Sequence, residues 1–224
     1  MDGNGRWATR RGLPRTAGHH EGVKALRRAC EAAPDLGITT LTVFGFSTYN
    51  WNRPRAEVAG LMTLFGRYMR DEAAYCRDRG ARLSLIGRRD RLAPRLVRAM
   101  EQVEADTAGG TALHIRVALD YSARESIERA AAGWASVDGF GRRVAGDDSA
   151  AEVDLLIRTG GDRRLSDFML WEAAFAELYF IDQMWPDFDG DSLRAAVEEF
   201  HARQRAGGLI GGALQPDLHR AAVG

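Results

Sequence analysis

Apolar positions recur along this chain at two spacings, and the two alternate. Residues 21–33 carry Val23, Leu26 and Ala29/Cys30 on one helical stripe, and 57–79 carry Leu61, Met62, Phe65 and Met69 on one face of a longer helix. Short continuous runs of apolar, often β-branched residues at 39–46, 82–86, 113–119, 153–157 and 178–181 read as buried strands. Further helices are predicted over 93–104, 125–134 and 192–205, the last after the Pro186-Asp187-Phe188-Asp189 break. The polar, glycine-containing stretch 139–149 reads as a loop, and the Gly/Ala-rich stretch 207–224 as a loose tail. Alternating strands and helices predict an α/β fold, a largely parallel central sheet flanked by helices. The pattern shows no internal repeat and gives one domain over 1–206, followed by the flexible tail 207–224.

Composition narrows the function classes. A chain of 224 residues can bury a sizeable core. Its 31 Lys plus Arg balance 31 Asp plus Glu, which argues against a nucleic-acid binder. Lys24 is the sole lysine, so the positive charge is almost wholly arginine. Cys30 and Cys76 lack metal-type spacing and read as core or half-buried thiols in a reducing cytoplasm. No apolar run approaches the ~20 residues of a membrane span, and no secretory leader precedes the first motif. A cytoplasmic protein is expected, with at most peripheral membrane contact.

The chemistry concentrates at two places. Met1-Asp2-Gly3-Asn4-Gly5-Arg6-Trp7 sets two glycines around an asparagine, so that backbone N–H groups can form a nest for phosphate oxygens. Arg6 adds a forked donor. Asp2 would repel the same anion, and its presence makes sense if a divalent cation lies between them. The run can also be read as an ordinary Gly-Asn-Gly turn. A second cluster, Asp154 to Phe168, takes an apolar strand into Arg158, a Gly160-Gly161 turn, then Arg163, Arg164, Leu165 and Ser166. Cationic and hydroxyl donors thus stand at the C-terminal end of a strand, where open α/β sheets bind ligands. Two anion sites suggest two diphosphate groups.

These motifs resemble the cis-prenyltransferase family, the undecaprenyl diphosphate synthases. The matching stretches are Asp2–Trp7, Arg15 to His19, Phe46 to Pro54, Ile157–Phe168, Ala176 to Phe180 and Trp185 to Phe188, in family order over nearly the whole chain. The resemblance implies that fold, with a hydrophobic tunnel. It also implies a Mg²⁺-dependent condensation of isopentenyl diphosphate with an allylic diphosphate primer, giving a Z-configured product of medium length. Asp2 would organise the metal and assist ionisation, with Glu177 helping to place it. Gly3, Asn4, Gly5, Arg6, Trp7, Arg15, His19 and Arg53 would cradle the allylic diphosphate, and Arg158, Arg164, Leu165 and Ser166 the isopentenyl diphosphate. Ser47, Thr48, Tyr49, Asn50 and Trp51 would form a mobile substrate loop, with Asn50 a candidate for proton removal. Glu177 can also be read as a structural carboxylate, and Trp51 and Trp185 as packing residues. Arg203 and Arg205 occupy the family's cross-subunit position, so a homodimer is implied.

The tunnel wall is expected at Leu61, Met62, Phe65 and Met69, its floor at Ile115, Val117 and Leu119, and its open mouth at Gly45. Several positions depart from the family pattern: Tyr49, Asp162, Asp167 and the run Asp120 to Arg124, with a short segment between Arg124 and Val153. Family members carry a buried strand directly before Asp-Gly-Asn-Gly, and none precedes Met1 here. The expectation is a sheet one strand short, or a start upstream of Met1. A non-catalytic partner subunit and an enzyme that joins short isoprenoid diphosphates irregularly are the competing readings.

Overall fold

A computed structural model describes residues 1–132, 139–146, 152–207 and 219–224. Six strands form one sheet: β1 (Thr40–Ser47), β2 (Ala81–Ile86), β3 (Leu113–Tyr121), β4 (Leu155–Arg158), β5 (Glu177–Phe180) and β6 (Arg220–Val223). Their order is β2-β3-β1-β6-β4-β5, and every pair is parallel. Strands covered on both faces must be apolar throughout, as in Leu155-Leu156-Ile157, all buried. One core, built from Leu41, Val43, Leu83, Ile115, Met69, Met100, Phe188 and Phe200, joins strands and helices. A smaller one gathers Ala118, Tyr121, Leu156, Phe168, Met169 and Ala222.

The helices are α1 (Asn4–Arg10), α2 (Arg15–Ala32), α3 (Arg55–Asp78), α4 (Pro94–Thr107), α5 (Ala123–Ala131), α6 (Phe140–Ala145) and α7 (Gly190–Gly207). Pro14 and Pro54 immediately precede α2 and α3, and Pro94 opens α4, where its missing N–H costs nothing. Ser122 caps α5 by accepting the Glu125 N–H at 3.2 Å. Helix α1, not foreseen in the sequence, packs on α2 because Gly18 has no side chain: a Cβ there would stand 1.9 Å from the Asn4 carbonyl oxygen.

Three expectations are corrected. The predicted loop 139–149 is helical over α6, where Val144 and Ala145 are buried and Arg116 donates to the Ala145 carbonyl at 3.1 Å. Gly139 and Gly146, both at positive φ, bracket that helix, and 147–149 lie outside the described residues. The tail 207–224 is not loose at its far end, since Arg220–Val223 pairs with both β1 and β4. The sheet is therefore not a strand short: β6 fills its centre, with Ala221, Ala222 and Val223 at most 1% exposed.

Candidate active site

The C-terminal ends of β1, β6 and β4 open into a cavity of about 780 Å³. Asp2 lines it, held by backbone bonds. One Thr159 hydroxyl both accepts the Asp2 N–H at 2.9 Å and donates to the Asp2 carbonyl at 3.0 Å. That carbonyl also accepts the Trp185 N–H at 2.9 Å. Gly3 turns the chain at φ 100°, and a Cβ there would be 2.9 Å from that of Met184. The Asp2 carboxylate accepts the Gly3 N–H at 2.6 Å and Arg158 Nη2 at 3.2 Å, with Arg6 at 3.5 Å. Burial pushes this carboxyl up, but the Gly3 N–H, Arg158 and Arg6 outweigh it and hold it below the usual carboxylate range. Burial also takes the neighbouring Met1 amino group down to about 5.

On one side of Asp2 lies a cluster delivered by α2 and the start of α3. Arg53 Nη1 is 3.1 Å, Arg15 Nη2 3.7 Å and His19 Nε2 4.0 Å from Glu57 Oε1. Burial, seconded by Arg53 and Arg15, takes the His19 imidazole down to about 4, so it is neutral at pH 7. His19 Nε2 and Asn4 Oδ1 are buried without a hydrogen-bond partner, so this side holds polar capacity that the protein leaves unspent. Glu57 organises the cluster, yet in sequence it read only as the first charge of a helix.

On the other side Arg158, 7% exposed at the end of β4, donates to Ser166 Oγ at 2.7 Å, to Asp162 at 3.3 Å and to the Arg164 carbonyl. Arg164 points outward and pairs with Asp162 at 2.8 Å. The loop places Ser166 and Asp167 at positive φ. Asp167 pins it to α5 by accepting Ser122 Oγ at 2.5 Å and the Arg124 N–H at 2.9 Å. That accounts for an aspartate at this position. Similarly, Asp120, fully buried, takes a paired contact from Arg91 at 2.5 and 2.9 Å and the Trp51 indole N–H at 2.8 Å.

Of the residues singled out in sequence, the cavity wall holds Asp2, Gly3, Asn4, Gly5, Arg6, Arg15, His19, Ser47, Tyr49, Asn50, Arg53, Arg158, Arg164, Leu165 and Ser166. Trp7, Thr48, Trp51 and Glu177 are not brought to it. The Trp7 indole bonds Asp187 at 2.6 Å on the outer side of α1, and Trp51 is tied to Asp120. Glu177 starts β5 opposite Leu155, three residues from the Arg158 end, and pairs with Arg203 at 3.4 Å. Asn50 Oδ1 accepts the Ser47 N–H at 3.0 Å, which folds the loop on itself.

The apolar arm of the cavity is lined by Val23, Leu26, Phe44, Leu61, Leu64, Phe65, Tyr68, Val117 and Leu170. Leu61, Phe65 and Val117 were expected there, whereas Met62, Met69, Ile115 and Leu119 face the core instead. Gly45 is an extra residue in the β1–β3 register between Phe44 and Phe46, and its absent Cβ would lie 3.2 Å from Phe65. The site thus joins a greasy slot to two clusters of arginine, separated by one ionised carboxylate.

No group of three or more His, Cys, Asp or Glu able to hold a metal occurs among the described residues. The Asp2 carboxylate supplies oxygen donors of the kind a hard divalent cation takes. Among the same residues no helix is long and apolar enough to cross a membrane.

Comparison with known proteins places relatives of this chain in one family. The family model for putative undecaprenyl diphosphate synthases matches residues 1–208. Isoprenyl transferase 1 of Bradyrhizobium diazoefficiens is 53% identical over 215 residues, covering 93% of this chain and 87% of that protein. An isoprenyl transferase of Aquifex aeolicus is 43% identical, covering 94% of each. The crystal structure of lavandulyl diphosphate synthase from Lavandula x intermedia, in complex with dimethylallyl diphosphate, superposes with a TM-score of 0.85 at 30% identity. It covers 91% of this chain and 93% of that one.

Proposed function

This chain belongs to the undecaprenyl diphosphate synthase family, and from that premise we propose that it condenses isopentenyl diphosphate with an allylic diphosphate to give a Z-configured polyprenyl diphosphate of medium length. The observation that carries the reading is the arrangement of two arginine clusters on either side of Asp2, both opening on one apolar slot. The cluster of Arg6, Arg15, His19 and Arg53 holds the diphosphate of the primer, whose hydrocarbon lies along Leu26, Leu61 and Phe65. Arg158, Arg164 and Ser166 hold isopentenyl diphosphate. Placing the two carbon skeletons in line removes much of the entropic barrier, and donors aimed at the departing diphosphate stabilise the charge that develops there.

Asp2, with its carboxylate kept ionised by Gly3, Arg158 and Arg6, would hold Mg²⁺. The ion supplies charge neutralisation at the leaving diphosphate. His19, neutral in the free protein, offers its unpartnered Nε2 to the primer's phosphate oxygens as a hydrogen-bond group. Glu57 gathers Arg15 and Arg53 and balances their charge until the anion arrives. Glu177 pairs with Arg203 and follows by two residues Phe175, which is 86% exposed. A second copy of the chain would cover that face, and a homodimer is part of the reading.

Incubation with labelled isopentenyl diphosphate and a panel of allylic primers tests the activity. Primer-dependent, chelator-sensitive incorporation into chain-elongated Z products is expected. A coupled product formed from primer alone, with isopentenyl diphosphate left out, would replace this reading with irregular coupling.

A further inference from the structure

Among the described residues, four that are not glycine adopt positive φ, and all four fall in two segments joined by hydrogen bonds. They are Asp120 (51°) at the end of β3, and Ser166 (50°), Asp167 (63°) and Met169 (48°) in the loop after β4. Such backbone is costly for a residue with a side chain and persists only where its surroundings fix it. At Asp120 two other segments do so. Arg91 grips the carboxylate at 2.5 and 2.9 Å, the Arg88 N–H donates to the carbonyl at 3.1 Å, and the Trp51 indole N–H donates to Oδ1 at 2.8 Å. Gly87, at φ 118°, permits this close crossing, since a Cβ there would lie 2.1 Å from the Leu119 carbonyl oxygen. The Arg91 guanidinium lies 5.7 Å from the centre of the Trp51 ring, and that ring meets Phe46 edge-on at 5.3 Å. Two residues beyond Trp51 stands Arg53, which lines the cavity and pairs with Glu57 at 3.1 Å.

The same short stretch of chain fixes the second segment. The Asp167 carboxylate accepts Ser122 Oγ and the Arg124 N–H, and its carbonyl accepts the Ala123 N–H at 3.1 Å. Phe168, fully buried, stacks on Phe44 at 4.6 Å and meets Tyr121 edge-on at 6.1 Å. Ser166, which accepts from Arg158, is thereby held at the cavity wall. Asp120 to Ala123 are not part of that wall themselves. We propose that residues 120–124 form a brace that positions both diphosphate-binding loops. Asp120 is the positioning residue of the primer side, acting through Trp51 on the turn that leads to Arg53. Asp167 is that of the isopentenyl side, acting on Ser166. A carboxylate suits both places, because its two oxygens accept from two donors at once and its charge strengthens each bond. Which ligand each loop holds rests on the function proposed above, whereas the brace does not.

The test compares Asp120→Ala, Asp120→Asn, Trp51→Phe and Asp167→Ala with the unaltered chain. Amide exchange is followed in the free protein, and farnesyl diphosphate and isopentenyl diphosphate are titrated separately by calorimetry. Asp120→Ala should speed exchange over residues 48–53 about tenfold and weaken farnesyl diphosphate about tenfold, with isopentenyl diphosphate kept within about threefold. Trp51→Phe removes the indole donor and keeps an aromatic ring against Phe46, so it should give the same pattern in smaller measure. Asp120→Asn keeps an acceptor oxygen and should recover part of both losses. If Asp120→Ala does not fold, these two variants carry the comparison. Asp167→Ala should speed exchange over 162–169 and weaken isopentenyl diphosphate about tenfold, although it removes a negative charge from the wall of an anion site. Unchanged exchange at both loops, equal losses for both ligands in the Asp120 variants, or tighter isopentenyl diphosphate binding in Asp167→Ala would overturn the proposal. Exchange needs no ligand, so loops that loosen as expected in a chain that binds neither diphosphate would uphold the brace and fault the assigned reaction.

Discussion

Asp2 and Arg158 form the contact at which the site's two halves meet, 3.2 Å apart. Asp2→Ala removes the group that would organise the metal, and turnover should fall about 100-fold while isopentenyl diphosphate binding changes little. Single-turnover kinetics beside equilibrium binding would show it, and unchanged turnover contradicts the role. His19 carries a second expectation. Its imidazole is depressed to about 4 in the free protein, and a bound diphosphate must raise it. Primer binding near pH 6 should therefore take up protons, an uptake that vanishes in His19→Gln and is read by calorimetry in buffers of different ionisation enthalpy. In the free protein the sign is the reverse of a paired histidine. The neutral form is favoured, so its contribution to stability is complete above about 6.5 and lost as pH falls toward 4. Asp2, Arg6, Arg158 and Ser166 were legible because glycine turns and a strand end frame them. Glu57 was not, because a carboxylate in the first turn of a helix is ordinary there, and only the fold shows three donors converging on it.

At the scale of elements, the strands were readable wherever burial on both faces makes a continuous apolar run. β6 escaped because Ala221-Ala222-Val223 is short and small. Its burial follows from filling a slot between two strands rather than from its own hydrophobicity. Helix α1 escaped too, since only seven residues form it and its stability comes from packing on α2 through Gly18. Gly18→Ala should force α1 away, destabilise the chain by about 1–3 kcal/mol and weaken primer binding with it. Denaturant unfolding and primer titration of that variant check both effects. The bulge at Gly45 sits where the apolar slot begins, against Phe65. Gly45→Leu should shorten the product, seen by chromatography after incubation with farnesyl diphosphate.

For the molecule as a whole, the sheet holds the two clusters at one end of three adjacent strands, and the helices α2 and α3 close the slot between them. Sedimentation should give twice the 24.7 kDa chain mass, and Phe175→Asp should shift it toward the monomer with loss of activity. The central claim is that two diphosphates bind separately on either side of Asp2, and calorimetric titration of each ligand into Arg53→Ala and Arg164→Ala tests it most directly. Losing one charge-assisted bond costs about 1.5–3 kcal/mol, roughly ten- to a hundredfold in affinity. Arg164→Ala should lose that factor for isopentenyl diphosphate and keep the primer within about threefold, and Arg53→Ala should do the opposite. Equal losses for both ligands in either variant, or the reverse pattern, would contradict the account.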